Sequence, residues 1–313
     1  MRNSHPLERK IRAHIQKMDS ATQSALMPFV SEPSSDAWVR DVLFAYFGYF
    51  LSLGDDNESN RQARKDLQTA LRPLVAVGKR RSLDQMEKFL GDEFQRKGFF
   101  FLGGMTGPFY GPYIWKKSEK QIHRVKLPDR TIKVDVFFMH DFLIRSWMHF
   151  QTFGKTGTGG WVKRNEVGWD DGLYCVAEAY DLDHLADDLY FQVSLLKHEA
   201  QHFADNMDFL NLRGTDLEYR AKLVELIHFR EMKYLFKYII RDAKPIKADP
   251  HRHASYFILR AMSQRILDEP YVQDEKRWES VPYKKIQAEA KKLLEEHTRH
   301  LKVSPRNRKG VLN

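Results

Sequence analysis

The sequence predicts an α+β fold that is predominantly helical, in which a small sheet precedes a pair of helices rich in ionisable residues. Three observations lead there. Apolar residues recur at helical spacing from about residue 5 to 97; glycines cluster and apolar runs shorten between Gly98 and Tyr180; and helical spacing returns from His184 to Leu301. With 42% hydrophobic and 13% aromatic residues, the 313-residue chain can bury one large core or two smaller ones. The expected organisation is a helical region over 1–97 and a second region over 98–313, the latter with strands in 98–180, helices in 184–301 and a basic tail over 302–313.

Within the first region, Ser35 or Asp36 is placed to cap a helix over Trp38 to Leu53, whose apolar run VLFAYFGYFLSL ends at Asp55 and Asp56. Twelve residues are too few to cross a bilayer, so a buried core helix is expected there. From Arg61 to Val77, Leu67, Ala70, Leu71 and Leu74 form one stripe, which Pro73 should kink or end. The strand-bearing part reads FFFLGG, YGPYIWKK, TIKVDVFFM and GLYCVAEAY, with turn signals at Gly107-Pro108, Pro128-Asp129 and Asp170-Asp171-Gly172. Gly154-Lys155-Thr156 resembles the end of a phosphate-binding loop, but that loop requires a glycine at position 149, which is His149, so Phe153 to Gly160 reads as a plain loop. The later helices should break at Leu212 to Gly214, Lys244-Pro245 and Asp249-Pro250.

Composition removes several classes of function. No apolar stretch reaches the length of a membrane span, and the N-terminus lacks the continuous apolar segment of a secretory signal, so a cytoplasmic protein is expected. The single cysteine, Cys175, excludes an intramolecular disulfide framework and a cysteine-rich zinc site; any metal must be held by histidine and carboxylate. Fifty-one Lys and Arg against 42 Asp and Glu give a formal charge of +9. The positive charge is partly concentrated in KKIQAEAKKLLEEHTRHLKVSPRNRK near the end, where Glu289, Glu295 and Glu296 interrupt it in the manner of a solvated helix with ion pairs.

The segment LYFQVSLLKHEAQHFADNMDF, Leu189 to Phe209, carries the chemistry. Leu189, Val193, Leu196, Ala200 and Phe203 recur at helical spacing with no Gly or Pro between them, which predicts a helix through His198 and His202. Four residues apart, the two imidazoles project from one face within reach of a single ion, while Glu199, about 100° round the helix, can address a water without holding the metal. His198-Glu199-Ala200-Gln201-His202 is an HExxH motif, and it resembles that of the zincin metallopeptidases. The plain alternative is a surface helix with two solvated histidines.

A catalytic zinc needs a third protein ligand and one open position. Asp208 lies where metzincins place theirs, but the glycine they require is Asp205 here. Asp216 sits in Gly214-Thr215-Asp216-Leu217-Glu218-Tyr219, an element similar to one in aspzincins with its Asp and Tyr each a residue early. Glu218 stands 16 residues after His202, beyond a break that can reverse the chain, and near the start of a helix DLEYRAKLVELIHF that Thr215 or Asp216 can cap. Small Ala221 would let that helix approach the first closely. One helix with HExxH and another with a Glu followed three residues later by Ala resemble the compact gluzincins, the minigluzincins among them, over Leu189 to about Phe229. The resemblance implies a zinc-dependent peptidase whose metal ligands are His198, His202 and Glu218. Gluzincins often have an Asp four residues after the ligand Glu; that position is Lys222, so Glu225 is the carboxylate available to orient a histidine. As a solvated face, Glu218 and Lys222 would simply pair.

In such a site zinc would lower the pKa of a bound water to about 7, and Glu199 would take its proton and pass it to the leaving group. Analogy with the family puts an oxyanion donor downstream, where His253 and Tyr256 are the candidates; both residue types equally serve as caps and packing at a helix start. The strand Leu173 to Tyr180 is the nearest before the helix and a candidate to bind an extended peptide or protein substrate by main-chain pairing. Two rival readings stand beside the peptidase: a nucleic-acid-associated basic helical protein, and a peptidase-derived scaffold that no longer cleaves.

Overall fold

The computed structural model describes residues 6–31, 36–75, 81–157, 159–163, 170–209, 212, 214–229, 233–303 and 312. Five helices come first: α1 (Pro6–Ile15), α2 (Ser20–Ser31), α3 (Ala37–Leu51), α4 (Asn57–Leu71) and α5 (Leu83–Arg96). Seven strands follow, β1 (Phe100–Leu102), β2 (Met105–Thr106), β3 (Phe109–Tyr110), β4 (Tyr113–Lys126), β5 (Thr131–Arg145), β6 (Gly160–Lys163) and β7 (Gly172–Val176), with the short α6 (Ser146–Gln151) after β5. The chain then turns helical again: α7 (His198–Asp208), α8 (Gly214–His228), α9 (Lys233–Asp242), α10 (Pro250–Met262), α11 (Glu275–Trp278) and α12 (Tyr283–Val303). Helix accounts for 61% of the fold and the main sheet has five strands, so the architecture is the α+β, predominantly helical one that the residue pattern predicts. Among the described residues no helix is long and apolar enough to cross a membrane.

The chain forms two compact units, Met1–Glu119 with Met139–Thr158, and Lys120–Phe138 with Gly159–Asn313. In the first, Asp36 caps α3 by accepting from the Trp38 and Val39 amides, while Ser35 lies outside the described residues. The apolar run Val42 to Leu53 is a core helix, with Val42, Leu43, Tyr46, Phe47, Tyr49 and Phe50 buried. Helix α4 ends at Leu71, where Pro73 forces a tight turn over Arg72–Leu74. A cleft of about 760 Å³ lies in this unit between Tyr49, Leu53, Arg61, Arg64, Phe109 and Trp147; none of the predicted site residues lines it.

One buried carboxyl stands out in the first unit. Glu87 on α5 is 4% exposed; it accepts from the Tyr46 hydroxyl at 2.7 Å and from the Gly104 amide at 2.6 Å. Burial pushes its pKa up to about 7 against those two hydrogen bonds, with the Asp84 charge adding to the rise. A side chain at Gly103 would collide with Glu87, so the glycine lets the turn close over the carboxyl.

The main sheet runs β1-β4-β5-β7-β6. Strand β7 therefore has a hydrogen-bonded neighbour on each side, and all five of its residues are buried. This corrects the expectation that Leu173 to Tyr180 offers an open edge: β7 stops at Val176, a tight turn takes over at Ala177–Ala179, and β6 is the terminal strand. The short β6 packs against α7. At Gly160 a Cβ would stand 2.8 Å from the Leu195 side chain, so the absence of one lets β6 sit tightly on the turns that precede α7.

In the second unit α8 packs against α7, α10 and α12. Ala221, Leu223, Val224 and Leu226 are fully buried, and so, within a few per cent, are Asp216, Arg220, Lys222 and Glu225. A helix enclosed on all sides has no solvated face, so each of its ionisable residues needs a partner on a neighbouring helix. That requirement changes the reading of its start. The helix already begins at Gly214, so Thr215 and Asp216 fall in its first turn; their side chains reach His253 and His297. Farther on, Asp249 caps α10 and Pro250 opens it, as the Asp-Pro signal predicts. On α12, Glu289 and Glu296 pair with Lys292 and Arg265; most of the basic tail over 302–313 lies outside the described residues.

Candidate metal centre

The approach to the HExxH segment differs from a plain α-helix. Asp188 accepts from the Tyr190 and Phe191 amides, and residues Tyr190–Lys197 wind as a π-helix before α-helical geometry starts at His198. The His198 amide bonds the Val193 carbonyl, five residues back. The wider turn buries Phe191, Val193, Leu195 and Leu196 together, an arrangement that a strict 3.6-residue period does not produce. From His198 onward the spacing is regular, and Ala200 and Ala204 leave room on the buried side for neighbouring elements.

The two imidazoles lie as the i,i+4 spacing requires. His198 and His202 are 8% and 7% exposed, their rings are edge to face, and their Nε2 atoms are 3.1 Å apart. Glu218 on α8 joins them: its Oε1 lies 3.4 Å from His202 Nε2 and its Oε2 lies 3.5 Å from His198 Nε2. Three donors around a tetrahedral zinc, with bonds of about 2.0–2.1 Å, would stand about 3.3–3.4 Å apart. The three side chains form a triangle of about that size, with Glu218 turning a different oxygen to each imidazole. Glu199 completes the group: its carboxylate and the two imidazoles lie within 4.8 Å of one another, and it is half-buried.

The second nitrogen of His198 is also engaged. Nδ1 lies 2.5 Å from Glu225 Oε1, seven residues along α8 from Glu218, so both carboxylates reach the same imidazole from one helix. Burial by itself lowers the His198 pKa, but the Glu225 charge and the hydrogen bonds of Glu218 and Glu225 outweigh it and hold the imidazole well above its ordinary value. For Glu218 the balance runs the other way. Burial raises its pKa, and contacts with His198, His202 and His251 overcome that and hold the carboxyl far below the usual range. Around this site the protein favours positive charge on the nitrogens and negative charge on the oxygens.

The remaining candidates are placed elsewhere. Asp208 makes two contacts with the Arg130 guanidinium, at 3.1 and 2.5 Å, and Asp216 sits 2.9 Å from His297 Nε2. Lys222, in the position where gluzincins often have an Asp, turns to α9, 3.8 Å from Asp242 and over the Tyr238 ring. His253 is 5% exposed with Nδ1 3.4 Å from Thr215 Oγ1, and Tyr256 packs among His253, Phe257 and Tyr271. Neither forms a hydrogen bond, ion pair or ring contact with His198, Glu199, His202 or Glu218. The imidazole that does reach the site is His251: its Nδ1 lies 2.8 Å from Glu218 Oε2, and its side chain is 60% exposed. Two residues apart on α10, His251 and His253 point about 200° away from each other, so only one of them can face Glu218. Reading the His-Arg-His sequence alone does not say which.

A divalent cation fits this donor set. Two imidazole nitrogens 3.1 Å apart repel unless a proton or a metal lies between them, and Glu218 meets those two nitrogens at 3.4 and 3.5 Å, longer than a good hydrogen bond. Compared with protein-family models, with curated protein sequences and with solved structures, the chain matches none.

Proposed function

We propose that the protein is a zinc-dependent hydrolase, a peptidase that cleaves amide bonds, in which His198, His202 and Glu218 hold the metal and Glu199 is the general base. The observation that carries this reading is the convergence of three donor side chains, two imidazole nitrogens 3.1 Å apart with one Glu218 oxygen 3.4 Å from His202 and the other 3.5 Å from His198, backed by a carboxylate on the far nitrogen of His198. Zinc, when bound, supplies Lewis acidity toward a water and toward a substrate carbonyl.

The chain's own groups do the rest. Glu225 accepts from Nδ1 of His198, which fixes the tautomer and leaves the Nε2 lone pair for coordination. Glu199, half-buried and beside the two ligands, takes a proton from the attacking water and delivers it to the amine that leaves. His251, exposed and in contact with Glu218, is the donor placed to meet negative charge on the substrate oxygen. An extended peptide is the substrate class that suits a terminal strand, β6, lying against the helix that carries Glu199.

The test is metal content. Reconstituted wild-type protein should hold about one zinc per chain, and the His198→Ala, His202→Ala double variant none. Wild-type protein without metal, or a double variant that retains it, overturns the proposal.

A further inference from the structure

Behind the donor triangle lies a buried polar cluster that the proposed chemistry does not use. Gln201 and Asp205 on α7, Asp216 and Arg220 on α8, and His297 on α12 are each no more than 5% exposed. Arg220 Nε donates to Asp205 Oδ1 at 2.8 Å, and Gln201 Nε2 donates to the same oxygen at 2.8 Å. Arg220 Nη1 donates to Thr298 Oγ1 at 2.8 Å, and the guanidinium lies over the Phe209 ring. His297, beside Thr298, contacts Asp216 at 2.9 Å, so α12 grips α8 at two successive turns.

Stability does not account for this cluster. Desolvating a carboxylate and a guanidinium costs several kcal/mol per ion, and an apolar pair of similar volume at such a position is commonly as stable or more so. What an apolar contact does not supply is direction. A guanidinium with donors aimed at Asp205 and Thr298 has one acceptable orientation, whereas packed leucines accept several. The cluster also sits at a telling place: Asp205 is three residues beyond His202, and Arg220 is two beyond Glu218. A one-residue slip of α8 would rotate Glu218 by about 100° and carry it away from both histidines. One further observation concerns His202. Its Nδ1 is buried with no hydrogen-bond partner among the described residues, and so is Asp205 Oδ2, one turn along the same helix. His198 has Glu225 in that role, and no carboxylate makes the equivalent contact with His202 among the described residues, so its placement depends on how the helices are held.

We infer that Asp205 and Arg220, braced on α12 by Thr298 and His297, are positioning residues that set the rotation of α8 and so hold Glu218 against His198 and His202. The inference rests on the metal-site reading and goes beyond it, since none of these residues touches the metal.

The test separates geometry from stability. Asp205→Leu with Arg220→Met replaces the ion pair by apolar volume. Zinc affinity is measured by competition with a chelator, coordination geometry by the visible spectrum of the cobalt-substituted protein, and stability by thermal unfolding of the metal-free protein. The expected result is unfolding lowered only by the loss of the Gln201 amide's acceptor, zinc affinity weakened by about 10- to 100-fold, and a changed cobalt spectrum. If the double variant does not fold, Thr298→Val, which removes one of the two contacts of α12 and leaves His297 on Asp216, carries the test, with a several-fold loss of affinity expected. Unchanged affinity and an unchanged cobalt spectrum in a folded variant would show the cluster to be structural only and overturn the inference. A wild-type protein that binds neither zinc nor cobalt overturns the metal reading itself, and the inference with it.

Discussion

Replacing Glu218 by Ala removes one corner of the donor triangle and leaves the two histidines on α7 in place. The size of the effect follows from linkage. A metal that binds only the folded state at about 100 times its Kd stabilises by about 2.7 kcal/mol. For a unit of this size that corresponds to a rise in unfolding temperature of about 5–10 °C. Loss of a residue that merely orients a ligand weakens binding by about 10- to 100-fold, so loss of a ligand should cost at least the upper figure. At the same free zinc the variant would be half saturated, the stabilisation would fall to about 0.4 kcal/mol, and the thermal shift to about 1 °C. Differential scanning calorimetry with and without zinc reads this directly, with Asp208→Ala as control. Asp208 belongs to a partly exposed pair with Arg130, worth at most about 1 kcal/mol, so its loss should leave the zinc-dependent shift intact. A full shift in Glu218→Ala, or its disappearance in Asp208→Ala, would refute the assignment of Glu218.

Three further outcomes are expected. Glu199→Gln should keep zinc and fold but lose hydrolysis by several orders of magnitude, because an amide cannot accept the proton; loss of zinc in this variant, measured by metal analysis, would instead make Glu199 a ligand. His251→Ala should leave one zinc per chain and lower kcat more than it raises KM, whereas an unchanged kcat on a peptide substrate would remove His251 from the reaction. Glu87 has its pKa raised from 4.5 to about 7, so the folded protein keeps a proton that the unfolded chain has lost, and wild-type stability should fall by about 3 kcal/mol as pH rises through that window. Glu87→Gln can accept from the Gly104 amide and donate to the Tyr46 oxygen without charge; urea titrations should find it close to wild type near pH 4 and more stable at pH 8, and parallel pH profiles for the two would contradict the shift.

How much of this could be read from the chain depends on the range of the interaction. The helix through His198 and His202, the end of α4 at Pro73 and the start of α10 at Asp249-Pro250 are set by neighbours a few residues away, and sequence spacing predicts them. The proximity of Glu218 to the histidines was legible because a single break, near Gly214, lies between two helices that fold back on one another. Interactions decided by a third element were not. Whether His251 or His253 faces Glu218 depends on how α10 is rotated against α8; whether Thr215 and Asp216 cap their helix or bind His253 and His297 depends on α10 and α12. The interior position of β7 depends on strand order, which turn signals do not encode. The π-helical turns before His198 carry no Gly or Pro to mark them; a cluster of four apolar residues at 191, 193, 195 and 196 is the signal that could have raised the question.

Helix α8 has the least amphipathic logic of the long helices and the most chemistry, and the two facts have one cause. A buried helix built for stability alone would carry apolar residues all round. This one carries Asp216, Glu218, Arg220, Lys222 and Glu225 in ten positions, and each meets a partner on one of three neighbouring helices: His297 on α12, His198 and His202 on α7, Asp205 on α7, Asp242 on α9, and His198 again. Three of these residues, Asp216, Arg220 and Lys222, are explained by pairing within the fold. Glu218 and Glu225 converge on one imidazole with Glu199 close by, which concentrates negative charge in a poorly solvated place where only His198, His202 and the exposed His251 stand against it. Such a concentration costs several kcal/mol unless a cation compensates it. Under the proposed function a bound divalent ion would give that compensation and use the convergence, whereas a purely structural account of the same residues leaves the second carboxylate on His198 without a purpose.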